Sequence, residues 1–110
     1  MIVGVGLDVV EVARIERAMQ NPRFLRRVLT GPEREFCHSP QQVAGRWAAK
    51  EAIAKALGTP LTWQSVEVLS ESTGKPVAVM GDLPAGLTLH LSISHERGLA
   101  AAVAIAERGT

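Results

Sequence analysis

The sequence predicts an α+β fold, with a helical N-terminal half packed on a mainly antiparallel β-sheet. Three observations carry that expectation. Residues 39–57 are apolar around most of a helical circumference, residues 87–94 alternate with period two, and turn-forming clusters separate the short segments of the C-terminal half. With 110 residues and 46% hydrophobic composition, the chain reads as one domain spanning 1–110. A domain of that size has little room for a complete cleft, so self-association is expected from the outset.

Taken in order, Ile2 to Leu7 forms a short buried strand that ends at Asp8. Gly4, Gly6 and Asp8 share one parity, so that face has no side chain until the carboxylate arrives, and another element must pack closely over it. Asp8 then stands either beside that element or as the N-cap of the following helix. A helix over Val10 to Met19 is broken by Asn21-Pro22, and Arg23 to Leu29 makes another short helical piece. Thr30-Gly31-Pro32-Glu33 has capping-box spacing and starts a third helix that runs to Cys37. Ser39-Pro40-Gln41-Gln42 repeats the device, and the helix it opens is stopped by Gly58.

In the C-terminal half, Ser65 to Leu69 and Val77 to Met80 are strands joined by the turn-rich stretch from Glu71 to Pro76. Leu87, Leu89, Leu91 and Ile93 alternate with Thr88, His90, Ser92 and Ser94, as in a half-buried strand. His95-Glu96-Arg97-Gly98 turns the chain into a returning strand, Leu99 to Ala106. The face Ala100, Ala102, Ala104 and Ala106 is small enough for close packing on a helix or another subunit.

Composition excludes several classes of function. Leu99 to Ala106 is the longest strongly apolar stretch and is far too short to span a bilayer. Met1-Ile2-Val3 opens without a basic region, which argues against a signal peptide. The single cysteine, Cys37, leaves no internal disulfide framework, and a reducing cytoplasm fits best. The net charge of +1 conceals five arginines (Arg14, Arg17, Arg23, Arg26, Arg27) against one acid, Glu16, between Val12 and Val28. On position alone that segment is either a solvated helix face or a surface for an acidic partner. Nucleic acid is not expected, because interleaved aromatics and broad positive charge are lacking. Trp47 and Trp63 read as core residues.

The helix 39–57 carries Arg46, Lys50, Glu51 and Lys55 on an otherwise buried cylinder, and buried charges are paired or put to use. Glu51 and Lys55 have the spacing of a local ion pair. Alternatively, Glu51 faces Asp8 across the helix–strand contact. Two carboxylates brought together repel, and a hard divalent ion such as Mg²⁺ is their natural filling. The surrounding cations suit a phosphate-rich ligand, to which His95 adds a further contact.

These residues resemble a known family. Gly4-Val5-Gly6-Leu7-Asp8-Val9-Val10-Glu11 looks like the opening signature of the holo-[acyl-carrier-protein] synthases, the small 4′-phosphopantetheinyl transferases. Arg46-Trp47-Ala48-Ala49-Lys50-Glu51-Ala52 with Lys55-Ala56-Leu57-Gly58 resembles their second signature. Gly74-Lys75-Pro76 and Ser92-Ile93-Ser94-His95 resemble the third and fourth. Arg23-Phe24-Leu25 and the pair Thr30 and Glu33 also match in order. The resemblance spans Ile2 to Ala106 and implies the 4′-phosphopantetheinyl transferase fold.

The resemblance further implies transfer of 4′-phosphopantetheine from coenzyme A to a serine of acyl carrier protein in fatty acid biosynthesis, with release of adenosine 3′,5′-bisphosphate. Asp8, Glu51 and Lys55 would be catalytic, with Asp8 and Glu51 holding Mg²⁺ and Lys55 neutralising phosphate charge. The acceptor of the serine proton stays open between Glu51 and a metal-bound water. Coenzyme A would contact Arg46, Lys50, Lys55, Gly74, Lys75, Pro76, Ser94 and His95. Acyl carrier protein would dock on Arg14, Arg23 and Phe24. Members of the family form homotrimers with the site between subunits. Two departures stand out: only eight residues separate Cys37 from Arg46, and Thr59-Pro60-Leu61-Thr62 is a short loop after Gly58. Many members are longer at both places. The competing reading is a non-catalytic trimeric module binding acidic carriers; the retained Asp8, Glu51 and Lys55 argue against it.

Overall fold

Strand β1 (Ile2–Glu11) leads into four helices: α1 (Val12–Ala18), α2 (Phe24–Val28), α3 (Gly31–Phe36) and α4 (Pro40–Leu57). Four strands follow, β2 (Val66–Ser70), β3 (Pro76–Met80), β4 (Leu87–Glu96) and β5 (Leu99–Arg108). The structure is a computed structural model describing residues 1–109, so Thr110 of the expected domain lies outside the described residues. The strands form a three-stranded sheet of order β1-β5-β4 and a two-stranded sheet β2-β3, with every pairing antiparallel. The α+β class is as expected, with two sheets instead of one.

Local chemistry sets the element ends. Thr30 and Ser39 both form complete capping boxes, with Glu33 and Gln42 reaching back to the cap backbone. Gly58 ends α4 in the left-handed region at φ 71°, where a side chain would be strained. One expectation fails: β1 does not stop at Asp8 but continues to Glu11, which is the N-cap residue of α1. Asp8 is therefore a mid-strand residue paired with Ala102, and its reading as a helix cap is wrong. The run Val9-Val10 is β-branched and prolongs the strand.

Helix α4 lies across the inner face of the three-stranded sheet. A Cβ added at Gly4 would overlap the carbonyl of Ala56, and one at Gly6 the carbonyl of Ala52. The backbones touch, and only glycine permits it. Two strand residues advance about 6.7 Å and four helical residues about 6 Å, so strand and helix stay in step. Next on that face of the strand is Asp8, whose carboxylate Lys55 of α4 reaches. On β5, Ala100, Ala102, Ala104 and Ala106 are buried on the same face. The alanine row thus packs within the chain rather than against a second subunit, and Val43, Ala44, Ala48, Ala49, Ala52 and Ile53 of α4 are fully buried.

The charged core residue of α4 is Lys50. Its Nζ donates to Glu33 Oε1 at 2.7 Å, Val28 O at 2.8 Å and Trp63 O at 2.7 Å. Glu33 in turn accepts from Thr30 N at 2.8 Å and Val68 N at 2.7 Å. One buried pair thereby ties α4 to α2, α3, β2 and the loop before β2. Burial pushes the Lys50 pKa down, and the bond to Glu33 opposes that shift. Replacing Lys50 by Met leaves Glu33 buried and unpaired. Urea denaturation of Lys50→Met is expected to show a loss of about 3–5 kcal/mol; a loss under about 1 kcal/mol, the worth of a surface pair, contradicts the structural role.

Candidate active site

The glycine-guided contact delivers Asp8 to the side of α4 that carries Lys55. Lys55 Nζ donates to Leu7 O at 2.9 Å and to Asp8 Oδ1 at 3.3 Å. The Lys55 side chain is 55% exposed and that of Asp8 is 17% exposed, so the pair sits at a solvent-open edge. It adds little stability there and remains available to a ligand. Glu51 lies one helical turn before Lys55, on the same face. Lys55 reaches the strand rather than pairing with Glu51, and the Glu51 carboxylate has no hydrogen-bond or ion-pair partner among the described residues. Lys55 links Asp8 of β1 to α4, and Glu51 is on the same face of that helix.

Arg46 occupies a second place. Its guanidinium donates to Val68 O at 3.3 Å and to Ser70 Oγ at 3.1 Å, across the mouth of β2. It lines a groove of about 600 Å³ with Pro32, Phe36, Gln42, Leu69 and Glu71. Gly74 and Lys75 lie in the β2–β3 turn and Pro76 opens β3, with Lys75 exposed near Thr88 and His90. Ser94 is exposed on the outer face of the sheet, close to Leu7. His95 is the penultimate residue of β4, opposite Ala100, in a groove with Ser39, Gln41, Gln42 and Arg97. It is two strands from Asp8, about 10 Å across the sheet. One chain does not gather these residues around the Asp8 cluster.

Two assignments are corrected by burial. Lys50, expected at the coenzyme A site, is 3% exposed, and its three ammonium donors are all engaged in the core. Phe24 is not an exposed docking anchor, since it is 8% exposed and stacks on Trp47 with ring centroids 5.9 Å apart. Arg14 and Arg23 are exposed.

The outer face of the three-stranded sheet was overlooked by sequence reasoning. Val3, Val5, Leu7 and Val9 of edge strand β1 are each 44–61% exposed. The signal was present: every odd position of β1 from 3 to 9 is apolar, while the even positions between them are Gly4, Gly6 and Asp8. Cys37, by contrast, is buried, and burial pushes its thiol pKa up, only partly offset by Arg46. It has none of the exposed, electropositive setting of a nucleophilic thiol.

Residues 4–104 match the family model of the 4′-phosphopantetheinyl transferase superfamily. The chain belongs to that superfamily. Among superfamily relatives, the holo-[acyl-carrier-protein] synthase of an Exiguobacterium species is 45% identical, covering 97% of this chain and 93% of the relative. That of Beutenbergia cavernae is 46% identical over 98% of this chain and its own full length. The superfamily fold also matches in solved structures. The synthase of Bacillus anthracis in complex with CoA (3′,5′-ADP) superposes with a TM-score of 0.87 at 35% identity, covering 100% of this chain and 99% of its own. The synthase of Helicobacter pylori in complex with coenzyme A gives 0.86 at 28% identity, covering 94% and 99%.

The Cys37 thiol is buried and its pKa is raised, so it reacts slowly in the folded chain. Iodoacetamide at pH 8 is expected to alkylate Cys37 roughly tenfold or more slowly in the folded chain than in urea-unfolded chain. Equal rates by mass spectrometry contradict the buried, unreactive assignment.

Proposed function

We propose that this chain is a holo-[acyl-carrier-protein] synthase that transfers 4′-phosphopantetheine from coenzyme A to a serine of apo acyl carrier protein. The serine hydroxyl gives its proton to Glu51 or to water as its oxygen bonds to the phosphorus bearing pantetheine; the P–O bond of the pyrophosphate breaks, and adenosine 3′,5′-bisphosphate leaves with the electron pair. The observation that carries the reading is the solvent-open edge where Lys55, held by Leu7 O and Asp8, stands one turn from an unpaired Glu51. Such a transfer needs little covalent help from the protein. It needs positioning and neutralisation of phosphate charge.

Lys55 supplies a fixed cation to the bridging phosphates, because two acceptors on β1 hold its ammonium at the edge. Arg46, already anchored to β2, presents its remaining donors to the 3′-phosphate end of the nucleotide. The donor set at the edge fits Mg²⁺: two carboxylates of hard oxygen, open to solvent, with phosphate oxygens to complete the shell. Asp8 and Glu51 would hold the ion, and when bound it supplies charge neutralisation on the pyrophosphate.

The exposed row Val3, Val5, Leu7 and Val9 supports a homotrimer assembled through the outer sheet face. Assembly gives the Lys75 turn, Ser94 and His95 of a neighbour a route to the Asp8 edge, which they lack within one chain. Arg14 and Arg23, with Arg17, Arg26 and Arg27 around them, form a basic surface suited to a strongly acidic carrier.

Incubation with coenzyme A, Mg²⁺ and apo acyl carrier protein is expected to add one phosphopantetheine to the carrier by mass spectrometry. Asp8→Ala and Glu51→Ala are each expected to abolish that product while retaining the wild-type circular dichroism spectrum. No mass increment with the wild-type chain overturns the transferase reading, and full activity in either variant overturns the carboxylate assignment.

A further inference from the structure

Arg14 does not extend freely from α1. Its Cζ lies 5.4 Å from the centroid of the Trp47 ring, within the range of a cation–π contact. Trp47 is itself fixed from two directions, by Phe24 at 5.9 Å with 22° between planes and by Trp63 at 4.3 Å with 32°. Phe24 opens α2, which carries Arg26 and Arg27 and follows directly on Arg23. The three rings thus form a stack that joins α4, α2 and the loop before β2, and Arg14 of α1 lies across it.

An arginine on an exposed helix face loses about 2 kcal/mol of rotamer freedom when a partner immobilises it. A guanidinium already resting on an indole has lost part of that freedom before the partner arrives. Its planar edge remains open to accept a carboxylate in bidentate fashion. Trp47 follows Arg46 in sequence, so adjacent residues of α4 serve different ligands: Arg46 turns to the β2 groove and Trp47 to the basic surface.

We propose that Trp47 is a positioning residue for carrier recognition, holding the Arg14 guanidinium in the orientation that receives an acidic group of the carrier protein. This rests on the docking reading of Arg14 given above. Trp47 acts on the affinity for the carrier and leaves coenzyme A binding and the chemical step alone.

The test compares steady-state kinetics, with carrier and coenzyme A varied separately, for wild type, Trp47→Leu, Trp47→Phe, Arg14→Gln and Trp47→Leu with Arg14→Gln. Trp47→Leu is expected to raise KM for apo carrier about two- to fivefold, with kcat and KM for coenzyme A unchanged. Trp47→Phe, which keeps a ring, should recover most of the loss. The double variant should be no worse than Arg14→Gln alone, because the ring acts only through Arg14. In the free wild-type chain the Arg14 side-chain protons should show an upfield ring-current shift by NMR that is absent in Trp47→Leu. If Arg14→Gln weakens carrier binding but Trp47→Leu does not, or if the two losses add, the positioning role is overturned and the docking surface stands. If Arg14→Gln itself leaves KM for carrier unchanged, the docking reading falls and the inference with it. Should Trp47→Leu lose its cooperative unfolding transition, Trp47→Phe and the NMR shift decide: an unshifted Arg14 in wild type overturns the proposal.

Discussion

The contact between the glycine face of β1 and the backbone of α4 is the constraint on which the rest of the molecule depends. At Gly4 and Gly6 the helix carbonyls of Ala56 and Ala52 occupy the space of a side chain. That closeness locks strand and helix in register, and the register decides which helical turn meets Asp8. A bulkier residue at either glycine would lift the helix from the sheet and shift every side chain that α4 presents to the site. The alanine row of β5 extends the same flat seat beneath α4, and the helix, apolar nearly all round, fills it.

From this seat α4 distributes its polar residues in separate directions. Arg46 reaches β2, Trp47 supports α1, Lys50 enters the core, and Glu51 with Lys55 turns to the edge of β1. Lys50 and Lys55 illustrate how environment separates two like residues. Lys50 spends all three donors on Glu33, Val28 and Trp63 and has none left for a ligand. Lys55 is held by two acceptors and stays half-exposed, where phosphate can displace or join its partners. A buried pair that links four elements gives α2, α3, α4 and β2 a common anchor.

Much of this was legible in the sequence, and the failures have physical causes. Both capping boxes, the Gly58 stop and the alternating β4 announced themselves through local chemistry, which is what short-range patterns report. The joining of Asp8 to α4 was legible because two glycines and a carboxylate share one strand parity. The end of β1 was not: an aspartate before a helix also reads as a cap, and only the pairing with β5 keeps the strand running to Glu11. Lys50 was misread because its partner Glu33 is 17 residues away, on a helix whose placement no local pattern gives. Phe24 was misread for the same reason, its neighbour Trp47 being supplied by α4. The exposed row of β1 was written plainly in its odd positions, yet an all-apolar strand equally reads as buried on both faces.

The most direct test of this account is the transfer rate of Gly6→Ala. A methyl group there must push β1 from the Ala52 carbonyl, and with it Asp8 from the turn of Glu51 and Lys55. Gly6→Ala is expected to stay folded with kcat lowered about 10²-fold or more, as displacements near 1 Å do in positioned reactions. A Gly6→Ala chain that transfers phosphopantetheine at the wild-type rate would contradict the account.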